Sequence, residues 1–150
     1  MLPEMLTTRL CSLRCNEDHL TFSVLWEMDE DANILSVDFC KSVIHSKASL
    51  SYAQAQDILD SPTPSADPTH ESLRNLNKIA RILKQRRVEA GALTLASPEV
   101  RFKLDEETQN PLDVALYQMR EANSMVDEWM MLANITVAKK TLQHFPTLSI

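Results

Sequence analysis

An α+β fold, with mixed and antiparallel strands and a hairpin packed against two long helices, follows from three features of the sequence. Residues 20–28 alternate apolar and polar side chains, and after a polar turn residues 34–43 are again extended and β-branched. Residues 70–89 repeat apolar side chains at helical spacing. A second helical run covers about Asn123 to His144. A period of two marks strands and a period near 3.6 marks helices. The chain has 150 residues, 44% of them hydrophobic, which is enough for one domain with a core.

The N-terminal residues place Leu2, Met5, Leu6, Leu10 and Leu13 among polar neighbours, with Pro3 early. Cys11, Cys15 and His19 recur every four residues and would share one face of a helix. A fourth metal ligand at the usual spacing is missing, so this is read as ordinary packing. In the first strand Leu20, Phe22, Val24 and Trp26 point one way and Thr21, Ser23 and Glu27 mostly the other, the signature of a half-buried strand. Asp29 to Asn33 forms a solvated turn, and Ile34 to Val43 completes an antiparallel hairpin.

Ser51, followed by good helix formers, marks a helix start with Tyr52 in its first turn. The Tyr52 ring has an ordinary role open to it, packing against Ile58 and the hairpin. Asp60 to Thr69 holds three of the seven prolines and no large apolar residue, so it is a surface loop. Asp67-Pro68 then reads as an N-cap with proline in the first helical position. In the helix from His70 to Glu89, Leu73, Leu76, Ile79, Ala80 and Leu83 form the apolar stripe, opposite Arg74, Lys78 and Arg81. Basic charge continues through Lys84, Arg86 and Arg87. This face is read as solvated rather than as a nucleic-acid site.

Gly91, the only glycine, stops that helix, since glycine tolerates the left-handed conformation of a helix C-terminus. Ala92 to Leu95 and Val100 to Leu104 read as two short strands separated by Ser97-Pro98, and Asp105 to Asn110 as a charged turn before Pro111. Val114 to Met119 fits a strand or a short helix equally. In the last helix Asn123, Asp127 and Asn134 share a stripe, whereas Glu128 falls with Met131 and Ile135 beside Trp129 and Leu132. A lone carboxylate in such company costs several kcal/mol unless paired. Glu128 is therefore expected either in a buried pair with an arginine or lysine, at an exposed edge, or in a functional role.

A net charge of −6 argues against a free-standing domain that grips nucleic acid by bulk electrostatics. Any such binding needs a local groove or residues from elsewhere. Three cysteines without a CxxC pair suit a reducing compartment. Residues 1–11 lack the features of a cleavable signal, and no run approaches the ~20 apolar residues of a membrane span, so no membrane partner and a nuclear or cytoplasmic location are expected.

Three strings stand in register along the chain: MLPEMLTTRLCSL at 1–13, AGALTLASPEVRF at 90–102 and NSMVDEWMMLANITVAKK at 123–140. Together they resemble the central part of the RNB catalytic domain of the ribonuclease II family of 3′-to-5′ exoribonucleases, most strongly its exosome-associated members. The resemblance implies that residues 1–146 are the central portion of an incomplete RNB domain, part of a larger one, with 147–150 as a tail. It implies single-stranded RNA, the remainder of the RNB domain and the exosome core as partners of the parent protein. It further implies that Tyr52, in an S…SY…Q pattern, contacts the ribose near the RNA 3′ end. Glu128, in the (D/E)-E-x-M-x-x-A-N string, is implied to bond a ribose 2′-hydroxyl, the group that distinguishes RNA from DNA. Asn134 reads as a structural hydrogen-bonder.

Members of the family hydrolyse the terminal phosphodiester with Mg2+ held by an aspartate cluster, releasing nucleoside 5′-monophosphates. The tight DxxxxxDxDD string such a cluster needs is missing here, and Asp29-Glu30-Asp31 and Asp105-Glu106-Glu107 do not match it. In the family the cluster lies upstream and the arginine-rich strings and the S1 barrel downstream. The chain is therefore expected to supply channel wall, no catalytic residue and no metal ligand, and to be inactive alone. His19 and His45 stand where the family usually carries arginine, which weakens a phosphate contact at His45. Two other readings remain: a catalytically dead RNB-like module that binds RNA or scaffolds, and a small α+β interaction domain with incidental likeness.

Overall fold

The structure is a computed structural model and describes residues 3–62, 66–93, 100–104, 111–116 and 119–147. It is α+β, with two antiparallel two-stranded sheets and three helices. Strand β1 (Asp18–Met28) pairs with β2 (Ile34–His45), with Asp18 opposite His45 and Trp26 opposite Val37. Each strand runs two residues past the alternating segment read from sequence. Helix α1 (Tyr52–Asp60) starts where expected: the Ser51 hydroxyl accepts the Gln54 N–H, and the Gln54 side chain accepts the Ser51 N–H at 2.9 Å. Two helix-end donors are thereby satisfied reciprocally.

Helix α2 (Pro68–Glu89) begins with Asp67 accepting the Thr69 N–H at 2.8 Å and proline in the first turn. It ends as Gly91 takes φ +93°, with the Gly91 and Ala92 N–H groups returning to the carbonyls of Val88 and Arg87. Ala92 and Leu93 are not in a strand, and the remainder of that expected strand, Ser97-Pro98 and the turn 105–110 lie outside the described residues. Strand β3 (Val100–Leu104) pairs with β4 (Pro111–Leu116), so residues 114–116 of the ambiguous segment are in a strand, which begins earlier than read. Helix α3 (Glu121–His144) starts two residues before the expected Asn123, whose side chain instead accepts the Arg120 N–H at the helix start.

The three helices meet through small side chains. Ala55, Ala80 and Ala122, one from each helix, are buried with Met125, and small residues let helix backbones approach closely. Polar ties complete the junction: Gln56 accepts the Ala122 N–H at 3.1 Å, and Arg74 donates to the carbonyls of Ile58 and Ser61 at the end of α1. Among the described residues no helix is long and apolar enough to cross a membrane.

The hairpin is fastened to the helices at two places. Trp26 donates its indole N–H to Thr136 at 3.3 Å, and its ring lies 6.1 Å from that of Trp129. At the turn, Arg86 donates to the carbonyls of Ala32 (3.1 Å) and Asp31 (2.5 Å) and to the Asn33 side chain (3.0 Å). Asp29 accepts the N–H groups of Asp31 and Asn33, holding the turn shut while Ala32 sits buried at φ 58°. A non-glycine residue in that region costs about 1 kcal/mol, which the bonds around it offset.

Two expectations are corrected. The apolar face of β1 is not uniformly half-buried: Leu20 is 85% and Phe22 68% exposed, while Thr21 and Ser23 on the other face are less so. α3 reaches the hairpin near Trp26 and Phe39, and among the described residues nothing covers Leu20 or the facing Val43. On the polar face Thr21, Ser23 and Ser42 satisfy one another through hydroxyl contacts of 2.7–3.2 Å. Second, Cys11, Cys15 and His19 share no helical face. Cys11 ends a short π-helical turn (Leu6–Leu10), Cys15 bridges to Ser46, and His19 lies in β1, accepting the Arg14 N–H.

Replacing Arg86 by methionine keeps its apolar stem and removes all three donors. We expect about 2 kcal/mol of destabilisation and faster amide exchange at residues 29–33 than in α2. Unchanged exchange in the turn would show that Arg86 does not hold it.

Candidate functional site

The basic face of α2 is solvated as expected, Lys78 being 60% and Arg81 67% exposed, and its side chains also reach neighbouring elements. Lys78 bonds Glu30 at 3.4 Å, Arg81 bonds Glu121, Lys84 bonds the Ser124 hydroxyl at 2.7 Å, and Arg87 bonds Glu128. Arg74 and Arg86 cap α1 and clasp the hairpin turn, as described above. Each cation is thus directed at a neighbouring element, because α2 lies between α1, the hairpin turn and α3. The wheel read from sequence assigns polarity to faces but not partners, so it marked these side chains as outward. The buried positions of α2 are Ala80, from the apolar stripe, and the polar Asn77, while Leu76 of the stripe is half-exposed.

Glu128 is 5% exposed, and the sequence left open a buried pair, an edge or a function; the structure realises the pair. Arg87 Nη2 donates to Oε1 at 2.6 Å and Nε to Oε2 at 3.2 Å. This bidentate contact fixes the plane of the carboxylate and compensates a charge that would be costly unpaired. It also raises the Arg87 pKa: the hydrogen bond it donates to Glu128 outweighs the opposing effect of desolvation. Four residues from the pair's guanidinium, the end of α2 is locked by the Gly91 turn.

Tyr52 opens α1 at 46% exposure, and among the described residues no hydrogen bond reaches its hydroxyl. It and Glu128 lie on helices that pack together, α1 and α3, with no direct contact between the two side chains among those described. Asn134 has no side-chain hydrogen bond among the described residues; its structural role is not seen there. A separate apolar groove of about 310 Å³ lies between the hairpin and the end of α3, lined by Phe22, Phe39, Val137 and Phe145, with Lys140 over the Phe39 ring; neither Tyr52 nor Glu128 lines it.

Among the described residues no three His, Cys, Asp or Glu side chains gather into a metal-ligating group. The acidic run at 29–31 is spent on its own turn, with Asp29 on backbone N–H groups and Glu30 on Lys78. Asp105-Glu106-Glu107 lies outside the described residues. The arrangement offers an anchored carboxylate acceptor at Glu128 and, at Tyr52, a phenol with no hydrogen bond among the described residues.

A family model described as "RNB domain" matches residues 1–150. The chain is 57% identical over 145 residues to the human exosome complex exonuclease RRP44, covering 97% of this chain and 15% of that protein. Among solved structures, Mycoplasma genitalium RNase R in complex with ribose methylated single-stranded RNA superposes with a TM-score of 0.85 at 23% identity, over 95% of this chain and 22% of that one. Yeast Ssd1, described as a pseudonuclease, superposes at 0.68 with 24% identity, over 95% and 17%. The chain thus spans less than a fifth of the length of the curated relative it matches.

The Arg81–Glu121 contact makes a pH prediction. Hydrogen bonds from Arg81 and Asn77 hold the Glu121 carboxyl below its ordinary value, and Asp29 and Asp67 are lowered by backbone N–H donors. The unfolded chain then binds protons more readily than the folded one. Stability from these groups is present above about pH 4.5 and is lost as pH falls through their depressed values. A Glu121→Gln variant should melt lower at pH 7 and show a shallower acid loss than the parent; an unchanged acid slope would contradict the assignment.

Proposed function

Because the chain belongs to the RNB domain family, we propose that it is the central part of a 3′-to-5′ exoribonuclease, with residues 1–146 forming channel wall and 147–150 a tail. The parent enzyme hydrolyses single-stranded RNA to nucleoside 5′-monophosphates with Mg2+, acts with an exosome core in the nucleus or cytoplasm, and carries its metal ligands in the remainder of the RNB domain. The described residues do not fit a metal, so no hydrolytic step is assigned to them; the ion, where bound, activates water and stabilises the leaving oxygen.

The observation that carries this reading is the buried carboxylate of Glu128, held by a guanidinium in a chain 57% identical to an exosome exonuclease. An ionised carboxylate accepts hydrogen bonds only, and a two-point contact with Arg87 leaves roughly half of its acceptor positions unused. A ribose 2′-hydroxyl is a donor that matches such an acceptor, and DNA lacks it. The pair with Arg87 and the bond to ribose are therefore compatible rather than exclusive. Tyr52, with its hydroxyl open, supplies the second contact, near the RNA 3′ end.

A second reading is a non-catalytic RNB-like module that binds RNA or scaffolds. It draws on the likeness of fold to yeast Ssd1, a pseudonuclease, and a fold does not fix an activity.

The test is a chimera of human RRP44 in which this chain replaces the matching 145 residues. With Mg2+ and single-stranded RNA the chimera should release mononucleotides and the isolated chain none. Release by the isolated chain would refute the division of labour, and an inactive, folded chimera would favour the second reading. In the active chimera, Tyr52→Phe and Glu128→Gln should each cut the preference for RNA over RNA deoxy-substituted near its 3′ end by roughly tenfold, the loss of one hydrogen bond to a charged or oriented group. Undiminished preference would remove both residues from the ribose site.

A further inference from the structure

We propose that Arg87 is a positioning residue for ribose selection: it fixes the plane of the Glu128 carboxylate and turns its unused acceptor positions toward the 2′-hydroxyl. This rests on the reading of Glu128 given above. Glu128 is 5% exposed, and a carboxylate so placed and unpaired would swing toward another donor.

Arg87 prevents this by geometry. Its Nε and Nη2 meet the two carboxylate oxygens separately, at 3.2 and 2.6 Å, so neither oxygen is free to rotate. A planar fork imposes a plane on its partner, which a lysine ammonium does not. The other α2 cations near α3 are engaged elsewhere, Arg81 with Glu121 and Lys84 with Ser124. Arg87 is itself pinned from behind. Its carbonyl accepts the Ala92 N–H at 3.1 Å in the turn that Gly91 closes, so the end of α2 fixes where the guanidinium sits.

The assignment predicts a change in selectivity beyond a change in stability. The active chimera is assayed with RNA and with the same RNA carrying 2′-deoxy nucleotides near its 3′ end, for Arg87→Gln, Arg87→Lys and Glu128→Gln. Arg87→Gln should lower the RNA preference roughly tenfold, chiefly by slowing the RNA reaction. Arg87→Lys should restore part of it, because charge is kept and the fork is lost. Equal slowing of both substrates by Arg87→Gln would mark a merely structural residue and overturn the proposal. If Glu128→Gln alters the preference while Arg87→Lys and every soluble Arg87 variant leave it untouched, the positioning role fails and the ribose reading stands. An unaltered preference in Glu128→Gln overturns both.

Discussion

A carboxylate cannot be taken out of water beside apolar side chains without a counter-charge, and the meeting of α2 with α3 is arranged around that constraint. Glu128 is buried and Arg87 forks onto it. For the fork to reach, α2 must end where Gly91 ends it and lie close against α3, which the alanines at the helix junction permit. The other cations of α2, most of them exposed, tie it to the end of α1, to the hairpin turn and to the first turns of α3.

Much of this framework was legible in the sequence because local chemistry decided it. The β1–β2 hairpin follows from alternation across a polar turn, α1 from its Ser51 cap, and α2 from Asp67-Pro68 at one end and Gly91 at the other. Three things were not legible, each because it depends on what lies across space. The partners of Arg74, Lys78 and Arg81 require knowing where α1, the hairpin and α3 sit. The openness of Leu20 and Phe22 depends on how far along the hairpin α3 reaches. The left-handed Ala32 is a position where sequence favours glycine or asparagine, and only the surrounding bonds from Arg86 and Asp29 account for it. As to the site, residue type singled out Glu128 as needing a partner, and the likeness of its string suggested a role. Neither could name Arg87 over the other basic residues of α2.

The open apolar face of the hairpin and the absence of any large, fully buried side chain among the described residues are features of one physical situation. Alanines and one methionine make up the buried apolar set, with polar ties supplying much of the remaining cohesion. The chain spans 15% of the length of its human relative. Recognition groups mounted on it are then held by helix ends and ion pairs rather than by a deep core, which makes their geometry sensitive to single charges.

The coupling between Arg87 and Glu128 is the quantity on which this account turns, and a double-mutant cycle with Arg87→Met and Glu128→Leu measures it directly in the folded chimera. Each single change should cost about 3 kcal/mol or more, with the double variant recovering much of the loss, because two apolar residues replace the pair without leaving a charge stranded. Additive losses in the double variant would mean that the two side chains do not depend on each other, and the anchored carboxylate would have to be abandoned.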